Sequence, residues 1–171
     1  KSLAIIPVRV GSKRLKKKNL LTLDDKPLFA HSIECALNSK LFDKIHVSTE
    51  SKRVVKTCKE YCLEPEFLRP KNLANDTSTI YEVCSYVIGE YENMGVHFDN
   101  LCIIWATSPL RTVSDLKKGF AMLKKNINAV VSVSEYDLPY YCGQLISEKN
   151  FIRPIFPKMM KTPSQSMPSV I

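Results

Sequence analysis

Leu3-Ala4-Ile5-Ile6-Pro7-Val8-Arg9-Val10-Gly11-Ser12-Lys13-Arg14-Leu15-Lys16-Lys17-Lys18-Asn19 is the stretch on which the fold turns. Residues 3–8 form an apolar run too short for a helix, which fits a buried strand. A basic loop with a single glycine follows, and residues 27–38 then take up helical spacing, with Leu28, Ile33, Ala36 and Leu37 on one face. A buried strand that runs through a loop into a helix is the opening unit of a parallel α/β sheet.

Further along the chain, residues 44–48 read as a second strand, and Val54, Val55, Cys58, Tyr61 and Cys62 mark the next amphipathic helix. A short extended piece at 66–68 ends at Arg69-Pro70. The next helix covers about 79–91, opened by Thr79 and Glu82 at capping-box spacing. Residues 101–105 form a strongly apolar strand. Thr112 and Asp115 cap a further helix, and 129–133 is a last strand. The order β-α-β-α-β-α-β-α-β predicts a three-layer α/β fold with a mostly parallel, twisted, Rossmann-like sheet. Such sheets bind ligands outside the carboxyl ends of their strands, which directs attention to 7–19, 48–50, 69–70 and 106–111. After Ser134 the pattern dissolves into a segment rich in Pro, aromatic residues, Met and Lys. We therefore divide the chain into an α/β domain, 1–135, and an irregular arm of the same domain, 136–171, suited to a subunit contact or a lid.

With 171 residues and 44% hydrophobic content, the chain can bury a substantial core. No apolar stretch is long enough to span a bilayer, so a soluble, cytoplasmic protein is expected. The chain starts at Lys1 rather than Met and stops abruptly at Ile171, so it is expected to continue beyond these residues. Net charge is +8, which favours polyanionic partners, and five basic residues crowd into 13–18. The six cysteines contain no C-x-x-C pair. Cys58 and Cys62 are spaced to share a helix face, but no histidine or carboxylate set completes a metal site. Buried, reduced thiols are the simpler reading.

The basic loop is neither a Walker A motif nor a G-x-G-x-x-G turn. Gly11 allows a tight bend or a close backbone approach, and exposed N–H groups in such a bend can face phosphate oxygens. Arg9 can grip phosphate with a bidentate fork, while Lys13 and Lys18 add point charges. A triphosphate attacked at its α-phosphorus needs such cations, because charge builds on that phosphate and on the departing pyrophosphate. On composition alone, a solvated basic loop or a nucleic-acid contact is the alternative.

The residues resemble a known family. Ile5-Ile6-Pro7, Arg9, Gly11-Ser12-Lys13 and Asn19-Leu20 are similar to the phosphate loop of the acylneuraminate cytidylyltransferases, which make CMP-sialic and related CMP-nonulosonic acids. The likeness continues through Lys26-Pro27-Leu28, residues 41–50 (LFDKIHVSTE), Phe67-Leu68-Arg69-Pro70 and Leu73-Ala74-Asn75-Asp76-Thr77. It ends with Thr107-Ser108-Pro109-Leu110-Arg111 and Val130-Val131-Ser132-Val133, so that the motifs follow in family order over about 3–135. The resemblance implies that Arg9, Gly11, Ser12, Lys13 and Lys18 hold the triphosphate of CTP, with Lys18 and Arg9 as the catalytic cations. Asn19, Arg69, Asp76, Ser78 and Thr79 would surround cytosine and ribose; Asp76 alternatively caps the following helix. The implied reaction is attack of an acidic nine-carbon sugar's anomeric hydroxyl on CTP, assisted by Mg²⁺. No protein nucleophile is required.

The sugar side departs from the pattern. Trp105-Ala106 stands where sialic acid enzymes carry Gln-Pro and resembles the pseudaminic acid enzymes, whereas Leu110-Arg111 resembles the sialic and legionaminic ones. Trp105, Thr107, Ser108, Arg111 and Gln165 are the candidate sugar-binding residues. Core packing is the alternative for Trp105, and pairing with Asp115 the alternative for Arg111. The family's R-x-Q-x-L-P segment is matched only loosely around Gln165, without its Arg. Its metal-binding Asp-x-Asp pair has no counterpart, so the Mg²⁺ ligands are expected beyond Ile171. His31, His46 and His97 share no metal spacing and read as structural. A homodimer is implied by the family, and nucleic acid is not expected as the main partner. The alternative functions are activation of 3-deoxy-octulosonate or another sugar, and non-catalytic binding of phosphate or nucleic acid.

Overall fold

The computed structural model describes residues 1–11, 15, 17–124, 126–134, 140–146 and 151–161. They fall into two compact units, Lys1–Lys124 and Lys125–Ile171. Residues 125–134 therefore group with the second unit rather than with the first.

The first unit is built on β1 (Ser2–Pro7), the central strand of a three-stranded parallel sheet. β1 lies between β4 (Lys44–Ser48) and β5 (Asn100–Ile103), with Ile5 opposite both His46 and Ile103. Side chains alternate across a strand, and here both sets are covered. Ala4, Ile6 and Val8 pack with Phe29, Ile33 and Ala36 of α1 (Leu28–Ser39) and with Val54 and Cys58 of α2 (Lys52–Glu60). Leu116 of α4 (Val113–Met122) lies against the same cluster. Leu3 and Ile5 face the other way, onto Cys84, Val87 and Tyr91 of α3 (Ile80–Asn93). Helices on both faces make the fold a three-layer α/β structure, and burial on both faces explains why β1 reads as an unbroken apolar run.

Local chemistry sets the helix boundaries. Both expected capping boxes form: Thr79 and Glu82 open α3, and Thr112 and Asp115 open α4, each pair exchanging side-chain and backbone hydrogen bonds. Pro27 precedes α1, where its fixed φ suits a helix start. Between Lys18 and α1, a small hairpin joins β2 (Thr22–Leu23) to β3 (Lys26–Pro27). Its two turn residues, Asp24 and Asp25, both have positive φ (50° and 60°), as a two-residue hairpin turn of this hand requires.

Four expectations are corrected. Residues 66–68 are bent chain rather than a strand, and 129–133 make no ladder, with Val131 and Val133 largely exposed. A short apolar run becomes a strand only where a neighbouring edge accepts it. Leu37 is exposed, and Phe29, Ala30 and Cys35 join Ile33 and Ala36 in the buried face of α1. α2 ends at Glu60, and Cys62 lies beyond it in a left-handed conformation (φ 55°), so Cys58 and Cys62 share no helix face.

The second unit pairs β6 (Gln144–Ile146) with β7 (Ile152–Pro154) as an antiparallel hairpin. Tyr140, Tyr141 and Phe156 form an aromatic cluster beside it, with Phe156 5.3 Å and 5.4 Å from the two tyrosine rings. A Cβ on Gly143 would sit 3.0 Å from both the Ile155 side chain and the Tyr140 carbonyl, so only glycine fits that turn without a shift.

The thiols give a first test. Cys35, Cys58 and Cys84 are buried and Cys62 is exposed. Burial pushes the Cys58 thiol up to about 11, which leaves very little reactive thiolate at neutral pH. An alkylating reagent is expected to label the exposed Cys62 readily and Cys58 more than about 10²-fold more slowly. Mass spectrometry of the labelled peptides would show it.

Candidate nucleotide site

The sheet order β4-β1-β5 places a topological switch at β1: the chain leaves through α1 to β4 on one side and returns through α3 to β5 on the other. The crevice at the carboxyl end of β1 is therefore where such a sheet accepts a ligand. The expected loops after β1, β4 and β5 converge there, as does the chain at 69–78.

Hydrogen bonds join these segments. Val8 N–H donates to the Ser48 carbonyl (2.9 Å), which extends the β1–β4 pairing by one residue. Arg69 is 5% exposed, and its guanidinium donates to the Ser48 carbonyl (2.7 Å) and to Ser48 Oγ (3.1 Å). Its own N–H reaches the Thr49 carbonyl at 2.8 Å. Burial lowers the Arg69 pKa from the ordinary arginine value, and the nearby Glu50 carboxylate opposes that shift. The guanidinium stays charged. Arg9 Nη1 donates to Asp76 Oδ1 (2.7 Å) and to the Asn75 carbonyl (2.8 Å), which ties the first loop to the chain at 75–76. Asn19 is 8% exposed and holds the Arg9 carbonyl through Nδ2 at 3.0 Å. Its Oδ1 is buried without a hydrogen-bond partner among the described residues. Lys17 adopts a left-handed conformation (φ 54°), from which the 3-10 turn Lys18–Leu20 starts; Lys18 N–H donates to the Leu15 carbonyl at 3.1 Å.

Arg9, Asn19, Arg69 and Asp76 are thus linked directly or through shared backbone, with Lys18 beside Asn19. Ser78 joins them indirectly: its N–H and hydroxyl donate to Asn75 Oδ1 at 2.8 Å and 2.9 Å, in a turn that fixes Asp76. The Thr79 hydroxyl is engaged in its capping box. Asp76 does not cap α3, since Thr79 does, and its Oδ1 accepts from Arg9. Gly11 has neither a left-handed φ nor a neighbour within 4 Å of a built Cβ, so among the described residues nothing at this position requires glycine. Ser12, Lys13 and Gln165 lie outside the described residues.

At the end of β5, the Trp105 side chain is not core: the residue is 48% exposed, and its carbonyl accepts from Ser32 Oγ at 3.1 Å. Thr107 and Ser108 are exposed in the turn that follows. Asp115 is occupied by the capping box rather than by an ion pair with Arg111. Arg111 Nη1 is buried without a hydrogen-bond partner among the described residues. Sequence reading marked 48–50 as a ligand-side segment and Asn75 as part of a family-like motif, but assigned no role to Ser48, Glu50 or Asn75, whose hydrogen bonds reach residues far away in the chain or fix a neighbouring turn.

The buried side of β4 anchors the approach to Arg69. His46, fully buried, stacks on Phe67 with ring centroids 4.4 Å apart. Its Nδ1 lies 3.1 Å from Tyr91 Oη, which donates to Glu66 Oε2 at 2.7 Å; Lys44 forms an ion pair with the same carboxylate. Because the Tyr91 hydroxyl donates its hydrogen bond to Glu66, its oxygen accepts from His46 Nδ1–H, and the unpartnered Nε2 carries the lone pair of the neutral ring. Burial lowers the His46 pKa, more than Glu66 raises it. For Glu66, burial pushes upward, but the nearby His46 and the contacts from Lys44 and Tyr91 outweigh it and hold the carboxyl well below the carboxylate range. A folded-state pKa below the unfolded one means that the unfolded chain takes up the proton first as pH falls. His46 should therefore leave stability level between pH ~7 and ~8 and lower it below pH ~6.5, with a slope approaching about 1.4 kcal/mol per pH unit. His46→Phe should flatten that window in chemical denaturation.

Residues 3–148 match the family model described as cytidylyltransferase. CMP-N,N'-diacetyllegionaminic acid synthase of Legionella pneumophila is 37% identical over 153 residues, covering 89% of this chain and 66% of that protein. Pseudaminic acid cytidylyltransferase of Campylobacter jejuni is 31% identical over 168 residues, covering 98% and 72%. N-acylneuraminate cytidylyltransferase of Escherichia coli is 35% identical over 142 residues, covering 81% and 32%. The chain thus spans 66% and 72% of the length of the first two relatives. The solved structure of CMP:2-keto-3-deoxy-manno-octonic acid synthetase complexed with CTP superposes on 71% of this chain and 46% of that one. Its TM-score is 0.59 and its identity 24%, a likeness of fold.

Proposed function

This chain belongs to the cytidylyltransferase family, and from that premise we propose that it transfers CMP from CTP to the anomeric hydroxyl of an acidic nonulosonic sugar. The observation that carries this reading is the convergence of Arg9, Lys18, Asn19 and Arg69 at the carboxyl end of β1. The sugar oxygen attacks the α-phosphorus, the bond to the bridging oxygen of the β-phosphate breaks, and pyrophosphate leaves with that electron pair. Lys18 and Arg9 meet the charge that grows on the α-phosphate and the leaving group. Ser12 and Lys13 belong to the same loop and complete the triphosphate contacts. Arg9 exchanges Asp76 for phosphate when CTP arrives, and Asp76 turns to the ribose. Asn19, Arg69 and the turn at Ser78 and Thr79 surround the nucleoside.

Mg²⁺ would neutralise phosphate charge when bound. Among the described residues no cluster of three or more His, Cys, Asp or Glu could hold it, so no step is assigned to the metal. The half-exposed Trp105 supports a sugar pocket walled by its indole together with Thr107, Ser108 and Arg111; Gln165 is the remaining candidate for a sugar contact. The named relatives, one acting on legionaminic and one on pseudaminic acid, favour those sugars over octulosonate. Residues 136–171 would serve as the dimerisation arm of a cytoplasmic homodimer. No helix among the described residues is long and apolar enough to cross a membrane.

The test is pyrophosphate release by the full-length protein with CTP and Mg²⁺ against sialic, legionaminic, pseudaminic and octulosonic acids. Release with a single nonulosonic acid is the expected result. Release with none, together with failure to bind CTP, would remove the reading.

A further inference from the structure

We propose that Glu50 is the positioning residue that sets the geometry of the phosphate loop; the inference rests on the cytidylyltransferase reading. The peptide unit between Arg9 and Val10 is gripped at both of its polar atoms. Asn19 Nδ2 donates to its carbonyl at 3.0 Å, and its N–H, on Val10, donates to Glu50 Oε1 at 2.8 Å. A peptide plane held at both ends cannot rotate, and this one stands between the Arg9 side chain and Gly11. Its orientation decides where the guanidinium starts and which way the loop at Gly11 faces the phosphates.

The two grips come from different parts of the fold. Asn19 is local to the loop and buried; Glu50 follows β4, 40 residues away from Val10. Glu50 also acts on Arg69, whose charge it favours against burial. Glu50 Oε2 is buried and makes no hydrogen bond to the described residues, so the carboxylate is placed by Val10 and by the field of Arg69 rather than by solvent. One side chain thus joins the end of β4 and the buried arginine beside it to the loop that takes the triphosphate. A negative charge so close to the phosphates opposes CTP binding by itself. Its use lies in the geometry that it imposes.

Two conservative variants separate reach from charge. Glu50→Gln keeps the chain length and the Oε1 acceptor but removes the charge; Glu50→Asp keeps the charge and is one methylene too short for Val10. In the full-length protein, Glu50→Asp should lower kcat at least about tenfold with KM for CTP changed less than about threefold. Glu50→Gln should return kcat to within about threefold of wild type. Hydrogen exchange provides a readout independent of turnover: the Val10 amide should lose protection in Glu50→Asp and keep it in Glu50→Gln, with the β1 amides unaffected in both. Wild-type kcat in Glu50→Asp, or a Gln variant as slow as the Asp variant, would overturn the proposal while leaving the cytidylyltransferase reading intact. An inactive wild type would overturn both.

Discussion

Lys18→Ala is expected to lower kcat by about 10²–10³-fold while raising KM for CTP by no more than about tenfold. The asymmetry follows from where the charge is needed. In ground-state CTP the triphosphate has several cationic partners, and losing one weakens binding modestly. In the transition state charge concentrates on the α-phosphate and on the bridging oxygen that departs, and a preplaced ammonium is worth most there. Lys18 is preplaced by its backbone: its N–H is held by the Leu15 carbonyl, and the next residue, Asn19, is locked into the protein interior. Lys17 is exposed and left-handed at the start of the same turn, so it serves as the control. Lys17→Ala should change kcat by less than about twofold. Steady-state pyrophosphate release measures both. A basic loop used only for nucleic acid would instead lose a similar, small amount of affinity from either lysine.

Arg69→Met should act on stability and on nucleotide binding together. The guanidinium is buried and donates to both the carbonyl and the hydroxyl of Ser48. Removing it leaves the carbonyl to Val8 alone and deprives Ser48 Oγ of its donor. Losing charged hydrogen bonds at a buried site costs about 2–4 kcal/mol, read as a lower denaturation midpoint. Glu50 would lose the neighbouring cation, which adds to the loss. CTP affinity should fall at least about tenfold, by the loss of one charge-assisted contact. Arg69→Lys should not rescue either effect, because an ammonium lacks the planar fork that meets the two Ser48 oxygens at once. Denaturation curves and CTP titration of the three proteins would show whether the losses move together.

The parts of this fold that sequence revealed are those determined locally. The β1 run announces a strand covered on both faces, and Thr79 with Glu82, like Thr112 with Asp115, marks a helix start, because a capping box is complete within four residues. Strand identity at 66–68 and 129–133 was not legible. Phe67 and Val131 have the residue types of strands, yet a ladder depends on which edge the tertiary structure leaves open. The clustering of Arg9, Lys18, Asn19 and Arg69 was visible from the resemblance and from the rule that ligands meet strand carboxyl ends. The pairing of Arg9 with Asp76, 67 residues away, was not. Glu50 lay in a segment that the sequence marked, but its part was hidden for the same reason, since it depends on a backbone N–H of another loop. Trp105 illustrates the converse: an indole within an apolar segment reads equally as core or as surface, and only its place at the end of an edge strand decides.

Titration of the full-length, isotope-labelled protein with CTP, followed by amide chemical shifts, tests the central claim most directly. The account predicts that Val10, Gly11, Lys18, Asn19, Glu50 and Arg69 move together and saturate at one concentration, with UTP far less effective. Shifts confined elsewhere, for example to the groove that Lys52, Lys56 and Phe67 line, or no shifts at all, would contradict it.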